Sequence, residues 1–194
     1  MTRTVAVLVR QSMALSAPRG VDPARWLEAI AEDTYELVAG LELVTPVLAT
    51  SVPGLDDLVW PGTEIIEIGE DDPVKDVLKL LKGDQAAIVA GDAPDLPPLL
   101  VGKLFRELGR AQVTVCPAEG GGAVALACRL PPPGWADPDL DDPDPVAALR
   151  AQAPGRRMVA TGPGWHRLRH PGDAGRLDPG LEGWESTRAL LMAR

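Results

Sequence analysis

The stretch from Ala86 to Pro98, A-A-I-V-A-G-D-A-P-D-L-P-P, constrains the fold more than any other part of the chain. A short apolar run of strand-forming residues turns abruptly acidic. Gly91 permits a tight exit, and Pro94, Pro97 and Pro98 stiffen the chain beyond it. Leu99 to Leu108 then carries the apolar spacing of a helix, so the unit reads strand, acidic loop, helix. In an open α/β sheet, ligands gather at the carboxyl ends of the strands, which is where Asp92 and Asp95 would lie. Two carboxylates in a rigid loop suit a hard divalent cation carrying phosphates. A ligand-free reading also holds: Asp95 starts the following helix and Asp92 caps a turn.

The flanking sequence repeats this alternation. Thr4 to Arg10 is a nearly continuous apolar run, as expected of a central parallel strand. Gln11 to Asp22 is a loop, and Asp22-Pro23 opens a helix with Asp at the N-cap and Pro in the first turn. That helix runs to about Ala39 and stops at Gly40, burying Leu27, Ile30, Ala31, Thr34, Leu37 and Val38, with Glu28, Glu32, Asp33 and Glu36 on its wet face. Leu43 to Thr50 and Glu64 to Ile68 read as strands, separated by a turn or short helical piece over Leu55 to Trp60. Asp72-Pro73 opens a second helix that ends before Gly83. Val113 to Cys116 and Ala123 to Arg129 are further strands, joined through Pro117-Ala118-Glu119-Gly120-Gly121-Gly122. The three glycines allow either close approach of a ligand or a tight bend. Leu130 to Asp144 is a proline-stiffened acidic loop. It lacks the D-x-[DN]-x-[DN]-G spacing of a calcium loop, so solvation is its expected state. Asp144-Pro145 opens a helix through Gln152, Arg157 to Thr161 and Trp165 to Arg169 read as strands, and a last helix spans about Leu181 to Met192.

Strand–helix alternation, followed by a strand pair around the glycines, gives one three-layer α/β/α domain over residues 1–194 with a mixed, mainly parallel sheet. The formal net charge of −9 argues against DNA or RNA as a partner, because nucleic-acid binding needs a basic surface. No apolar run approaches the roughly 20 residues that span a bilayer. With no signal-peptide pattern and only two cysteines, the expectation is a cytoplasmic protein. Cys128 is expected to pack in its strand and Cys116 to be the more accessible. Arg10 and Arg19 flank the first loop, where phosphate could bind, although two arginines near one loop are commonplace and solvated arginines are the more usual case. Arg156, Arg157, His166, Arg167, Arg169 and His170 make the C-terminal segment basic. They could attract a phosphate or carboxylate, or balance the acidic loop.

On two of these stretches the chain resembles a known family. I-V-A-G-D-A-P-D-L-P-P (88–98) and C-P-A-E-G-G-G (116–122) are similar to the G-x-D-x-P-D-L-P and P-A-x-D-G-G motifs of a glycosyltransferase-like family of bacterial proteins. That family belongs to the GT-A nucleotide-diphospho-sugar transferase superfamily, with molybdenum-cofactor guanylyltransferase as a more distant relative. Glu32-Asp33-Thr34 also sits where the family has an L-x-D-T run. The resemblance implies a nucleotide or nucleotide-sugar ligand and Mg²⁺ or Mn²⁺ as cofactor. It implies Asp92 and Asp178 as metal ligands, with Arg10, Arg19, Asp95, Glu119, Gly120 and Gly121 around the nucleotide. A bound cation would neutralise the phosphates of the leaving group.

The chain also departs from the pattern. R-Q-S-M-A-L-S-A-P-R-G (10–20) lacks the family's paired lysine and arginine, Gly120 stands where an aspartate is expected, and R-L-D-P keeps one of the two aspartates of D-x-D-T-P. Two readings are compatible with this mixture: a metal-dependent nucleotidyl- or glycosyltransferase, and a noncatalytic member of the fold that binds a small molecule or a protein. A third is a phospholactate guanylyltransferase-like enzyme, from the similarity of Gly121 to Pro133 to that family's G-G-T-N-A-L-x-x-R-P-P. Self-association is left open.

Overall fold

The computed structural model describes residues 1–193. Seven strands form one sheet in the order β3-β2-β1-β4-β6-β5-β7: β1 (Arg3–Val9), β2 (Thr45–Thr50), β3 (Glu64–Glu67), β4 (Gln85–Ala90), β5 (Val113–Pro117), β6 (Ala123–Arg129) and β7 (Val159–Thr161). The pairs β3–β2, β2–β1, β1–β4 and β5–β7 are parallel, and β6 alone runs antiparallel to its neighbours β4 and β5. The sheet is therefore mixed and mainly parallel, in an α/β fold. β1 and β4 lie at its centre, and every residue of β4 is buried, which is why both read as nearly unbroken apolar runs.

Among the described residues five α-helices cover the two faces: α1 (Pro23–Ala39), α2 (Val74–Leu80), α3 (Pro98–Glu107), α4 (Pro145–Gln152) and α5 (Glu185–Met192). Trp26, Leu27 and Ile30 of α1 share one core with Leu100 and Leu104 of α3 and with Trp184, just ahead of α5. Val74, Val77 and Leu78 of α2 share the other with Leu149 of α4. The helix starts at Asp22 and Asp144 form as expected, their carboxylates accepting from the amides of Arg25 (2.9 Å) and Ala147 (3.0 Å). Asp72 does not cap α2: its carboxylate turns back to the Gly69 amide at 2.7 Å, and Pro73 occupies the cap position.

Three other expectations change. Trp165 to Arg169 is not a strand; only Trp165 bridges to Ala118, and the segment crosses the ends of the strands instead. Asp33 is not on the wet face of α1 but fully buried, under the N-terminus of α5. Cys116 is buried like Cys128, and burial pushes both thiols up to about 12. No helix among the described residues is long and apolar enough to cross a membrane.

Candidate functional site

β4 delivers Asp92 and Asp95 to the carboxyl ends of the strands, as its sequence demands. Gly91 is required there: a Cβ would stand 2.7 Å from Val9 Cγ2 and 2.8 Å from the Leu8 carbonyl of β1. The Thr34 hydroxyl shares its hydrogen between the Ile30 carbonyl of its own helix at 2.7 Å and the Gly91 carbonyl at 3.1 Å, bringing the turn against α1.

Neither aspartate is open to solvent. Arg167 grips Asp92 with a planar fork, Nε donating to Oδ1 at 2.7 Å and Nη2 to Oδ2 at 2.9 Å. Its remaining nitrogen, Nη1, donates to the Asp141 carboxylate at 2.8 Å and the Leu140 carbonyl at 3.1 Å. The side chains of Arg167 and Asp92 are 4% and 2% exposed, so this pair is sealed. Burial pulls the Arg167 pKa down, but Asp92 and Asp141 outweigh it and hold the guanidinium above the usual arginine value. Asp95 is held instead by ring and backbone nitrogens. His166 Nε2 lies 2.9 and 3.0 Å from its two oxygens, Trp165 Nε1 donates to Oδ1 at 3.2 Å, and the Asp178 amide donates to Oδ2 at 3.1 Å. The His166 and Trp165 rings stack with centroids 4.8 Å apart. Asp95 does not start α3, whose cap is Pro97.

The remaining residues implicated by sequence are scattered around this pair. Asp178 approaches Asp95 through its backbone, while its own carboxylate is exposed and accepts from the Gly180 amide at 2.8 Å. Arg10 donates through Nη2 to the Asp72 carbonyl at 2.6 Å, and its Nε is buried without a hydrogen-bond partner. Arg19 is exposed, beyond the 3-10 turn formed by Gln11–Ser16. Glu119 pairs with Arg176 at 3.2 Å. Gly120, Gly121 and Gly122 all have positive φ (81°, 104° and 86°) and make a tight bend closed by the Ala118 amide on the Gly122 carbonyl at 2.8 Å. A Cβ at Gly122 would meet Arg169 Nη1 at 2.8 Å and the Leu140 carbonyl at 2.7 Å, so the last glycine makes room for the C-terminal arginines.

Sequence reasoning missed one participant entirely. Glu70, in the loop before α2, takes the amides of Gln11 (2.8 Å) and Ser12 (2.9 Å) at the end of β1, together with the Ser51 hydroxyl. Burial pushes the Glu70 carboxyl up, but hydrogen bonds from the side chains of Ser12 and Ser51 and the amides of Ser12 and Gln11 outweigh it and hold it at about 2. Beside it, a cleft of about 350 Å³ is lined by Arg10, Asp71, Asp72, Asp137, Asp139 and Asp141.

This donor set does not fit Mg²⁺ or Mn²⁺ in this arrangement. Such ions take roughly six oxygen ligands. Both oxygens of Asp92 are committed to Arg167, both of Asp95 to His166 and its neighbours, and Oδ1 of Asp178 to Gly180. Among the described residues no three His, Cys, Asp or Glu side chains gather as metal ligands would.

With the geometry in place, the comparison with solved structures fixes the class of fold. The chain superposes over 100% of its length on 98% of a protein from Desulfovibrio desulfuricans G20 described as a candidate nucleotide-diphospho-sugar transferase, with a TM-score of 0.64 and 16% identity. It matches 4-diphosphocytidyl-2C-methyl-D-erythritol synthase from Anaerococcus prevotii DSM 20548 over 98% of each chain, with a TM-score of 0.59 and 10% identity. CMP:2-keto-3-deoxy-manno-octonic acid synthetase, solved with CTP, matches over 100% of this chain and 99% of its own, with a TM-score of 0.56 and 15% identity. No protein-family model matches the sequence, and no curated protein matches it significantly. The fold is that of nucleotidyltransferases and nucleotide-diphospho-sugar transferases.

Proposed function

We propose that this protein is a noncatalytic member of that fold, in which Arg167 stands as a fixed internal cation where a metal-dependent transferase would use Asp92 to hold Mg²⁺ or Mn²⁺. The fork of Arg167 on Asp92 carries this reading. A guanidinium matched to a carboxylate at two points, sealed from water, is not displaced by a weakly held ion without leaving a buried charge unpaired. A second observation agrees. The amides at the end of β1, which in a strand–loop–helix nucleotide site would face a phosphate, are occupied by the Glu70 carboxylate. The fold thus supplies from its own side chains a cation for Asp92 and an anion for the first loop. Its ligand is a small molecule, with a nucleotide or nucleotide-sugar as the first class to test, bound without a metal bridge.

The competing reading, a metal-dependent nucleotidyl- or glycosyltransferase, draws on the position of Asp92 at the end of β4 in a fold that a CTP-bound synthetase shares. It requires Arg167 to leave Asp92. A thermal-shift panel of nucleotides and nucleotide-sugars, each with and without Mn²⁺, separates the two. The expected result is that no ligand shows a Mn²⁺-dependent shift and that Asp92→Ala changes no ligand response. Nucleotide stabilisation that needs Mn²⁺ and is lost in Asp92→Ala overturns the proposal in favour of the transferase.

A further inference from the structure

The opposite rim of the sheet carries charge of the other sign. β4, β5 and β7 run in one direction, so the loops that precede β5 and β7 lie at the end of the sheet away from Asp92. Arg110 comes from the loop before β5, Arg156 and Arg157 from the turn before β7, and Arg150 from the last turn of α4. Together they line an open cleft of about 640 Å³ floored by Val159, Ala160 and Thr161 of the edge strand β7. From this cluster we infer a second site, one that binds a small anion bearing two or more phosphate groups, of the inorganic diphosphate type.

Four guanidiniums are drawn together in a chain of net charge −9. Arg110 is neutralised by Glu107 three residues earlier. Among the described residues Arg150, Arg156 and Arg157 have no carboxylate within ion-pair distance, although the sequence contains 28 Asp and Glu. Like charges held together repel one another unless an anion bridges them. Arg150 is already half-ordered for such a ligand: its Nη2 donates to the Thr161 hydroxyl at 3.3 Å, while its Nε is buried and lacks a hydrogen-bond partner. A buried donor without an acceptor is costly in a folded protein. Guanidinium forks match phosphate oxygens at two points, which a single lysine does not. The cleft lies within the size range of small-molecule sites, and its strand floor of small residues leaves the arginine stems free to close over a ligand. The other arginines of that basic stretch, Arg167 and Arg169, are spent on Asp92 and Asp141 and do not contribute.

Isothermal titration with sodium diphosphate tests the site. Wild-type protein is expected to bind saturably at low salt and to lose affinity as salt rises. The double substitution Arg156→Ala, Arg157→Ala removes two exposed charges without touching the core and should weaken binding at least about tenfold. Arg150→Gln should weaken it as well. Arg10→Ala, at the other rim, should leave it unchanged. Absence of saturable binding at millimolar diphosphate, an unchanged affinity in the double variant, or loss of binding in Arg10→Ala instead would each overturn the inference. Arg10 lines the cleft at the Asp92 rim, so the Arg10→Ala arm separates diphosphate held at this second site from diphosphate held where the proposed function places its ligand.

Discussion

Asp92 and Asp33 are almost equally hidden from water, at 2% and 0% exposure, yet the chain accommodates them by opposite means. Asp92 has a guanidinium forked across both oxygens. Asp33, on α1, has no cation and is held by the first turn of α5: the Ser186 amide donates to Oδ1 at 3.0 Å and the Thr187 amide to Oδ2 at 2.7 Å. Burial pushes Asp33 up to about 6, against the downward pull of the Thr187 and Ser186 hydrogen bonds and with a small upward contribution from Glu32. The rim beyond β4 is therefore closed by a fixed ion pair. The α1–α5 seam holds a group poised to change its charge. A site built like the first serves architecture, and one built like the second responds to conditions.

The largest effect that could break this contrast is at Arg167. Arg167→Met should destabilise the protein by about 3–5 kcal/mol, because it leaves the Asp92 carboxylate buried and unpaired. Arg167→Lys should cost less but still register, since an ammonium cannot reproduce the fork. Urea denaturation of both variants gives the values. If Arg167→Met costs no more than an exposed ion pair does, below about 1 kcal/mol, then Asp92 has another source of neutralisation and the internal-cation reading fails. Adding Asp92→Leu to Arg167→Met should recover much of the loss, as paired removal of buried charges often does.

The next effect sharpens the other half of the comparison. The folded pKa of Asp33, about 6, lies above its ordinary 3.8, so the folded state keeps a proton that the unfolded chain has released. The stability that this proton contributes is full below about pH 3.8, and it is lost as pH rises through about 6. A shift of this size corresponds to roughly 2–3 kcal/mol across that window. Stability measured from pH 4 upward should therefore fall more steeply in the wild type than in Asp33→Asn, which cannot titrate, with the two curves running parallel above the window. Parallel curves throughout would mean that Asp33 titrates normally and that the seam is not pH-sensitive.

The same comparison shows how far the sequence could be read. The strand–helix alternation, the parallel core of the sheet and the position of Asp92 after β4 arise from apolar periodicity and a glycine–proline frame, all of them local signals. Asp92 and Asp95 were legible as residues at the end of a strand. Their partners were not, because Arg167 and His166 lie more than seventy positions away and belong to a segment, 162–184, whose one alternating run points to a strand that does not form. The W-H-R-L-R run has the alternation of a strand, but only Trp165 meets one, its amide donating to the Pro117 carbonyl of β5 at 3.1 Å, while His166, Arg167 and the Leu168 amide bond to the loop after β4. Asp33 failed for a related reason. Its place between Glu32 and Glu36 gives it a solvent-facing context on α1, and only the docking of α5, more than 150 residues later, buries it. Asp-Pro as a helix opening misled at Asp72, where the Gly69 amide lies within reach of the carboxylate and competes with the helix terminus.

Glu70 supplies the smallest effect, at a carboxylate that differs from Asp33 both in burial and in the serine side chains that donate to it. Like Asp33 it accepts two backbone amides, but it is only partly buried, and its pKa moves down to about 2 from 4.5 instead of up. Its contribution is present above about pH 4.5 and is lost as pH falls through about 2, a window below that of Asp33 and opposite in sign. Glu70→Gln keeps the shape, loses the charge and can accept through one oxygen only. It should cost about 1 kcal/mol near neutrality, the scale of a hydrogen bond to a charged group after solvent screening, and the cost should vanish in acid. If Glu70→Gln instead costs the same at every pH, the carboxylate contributes by shape rather than by charge. The Gln11 and Ser12 amides would then have no preference for an anion, and the internal-anion half of the proposed function would have to be given up while the Arg167 half stands.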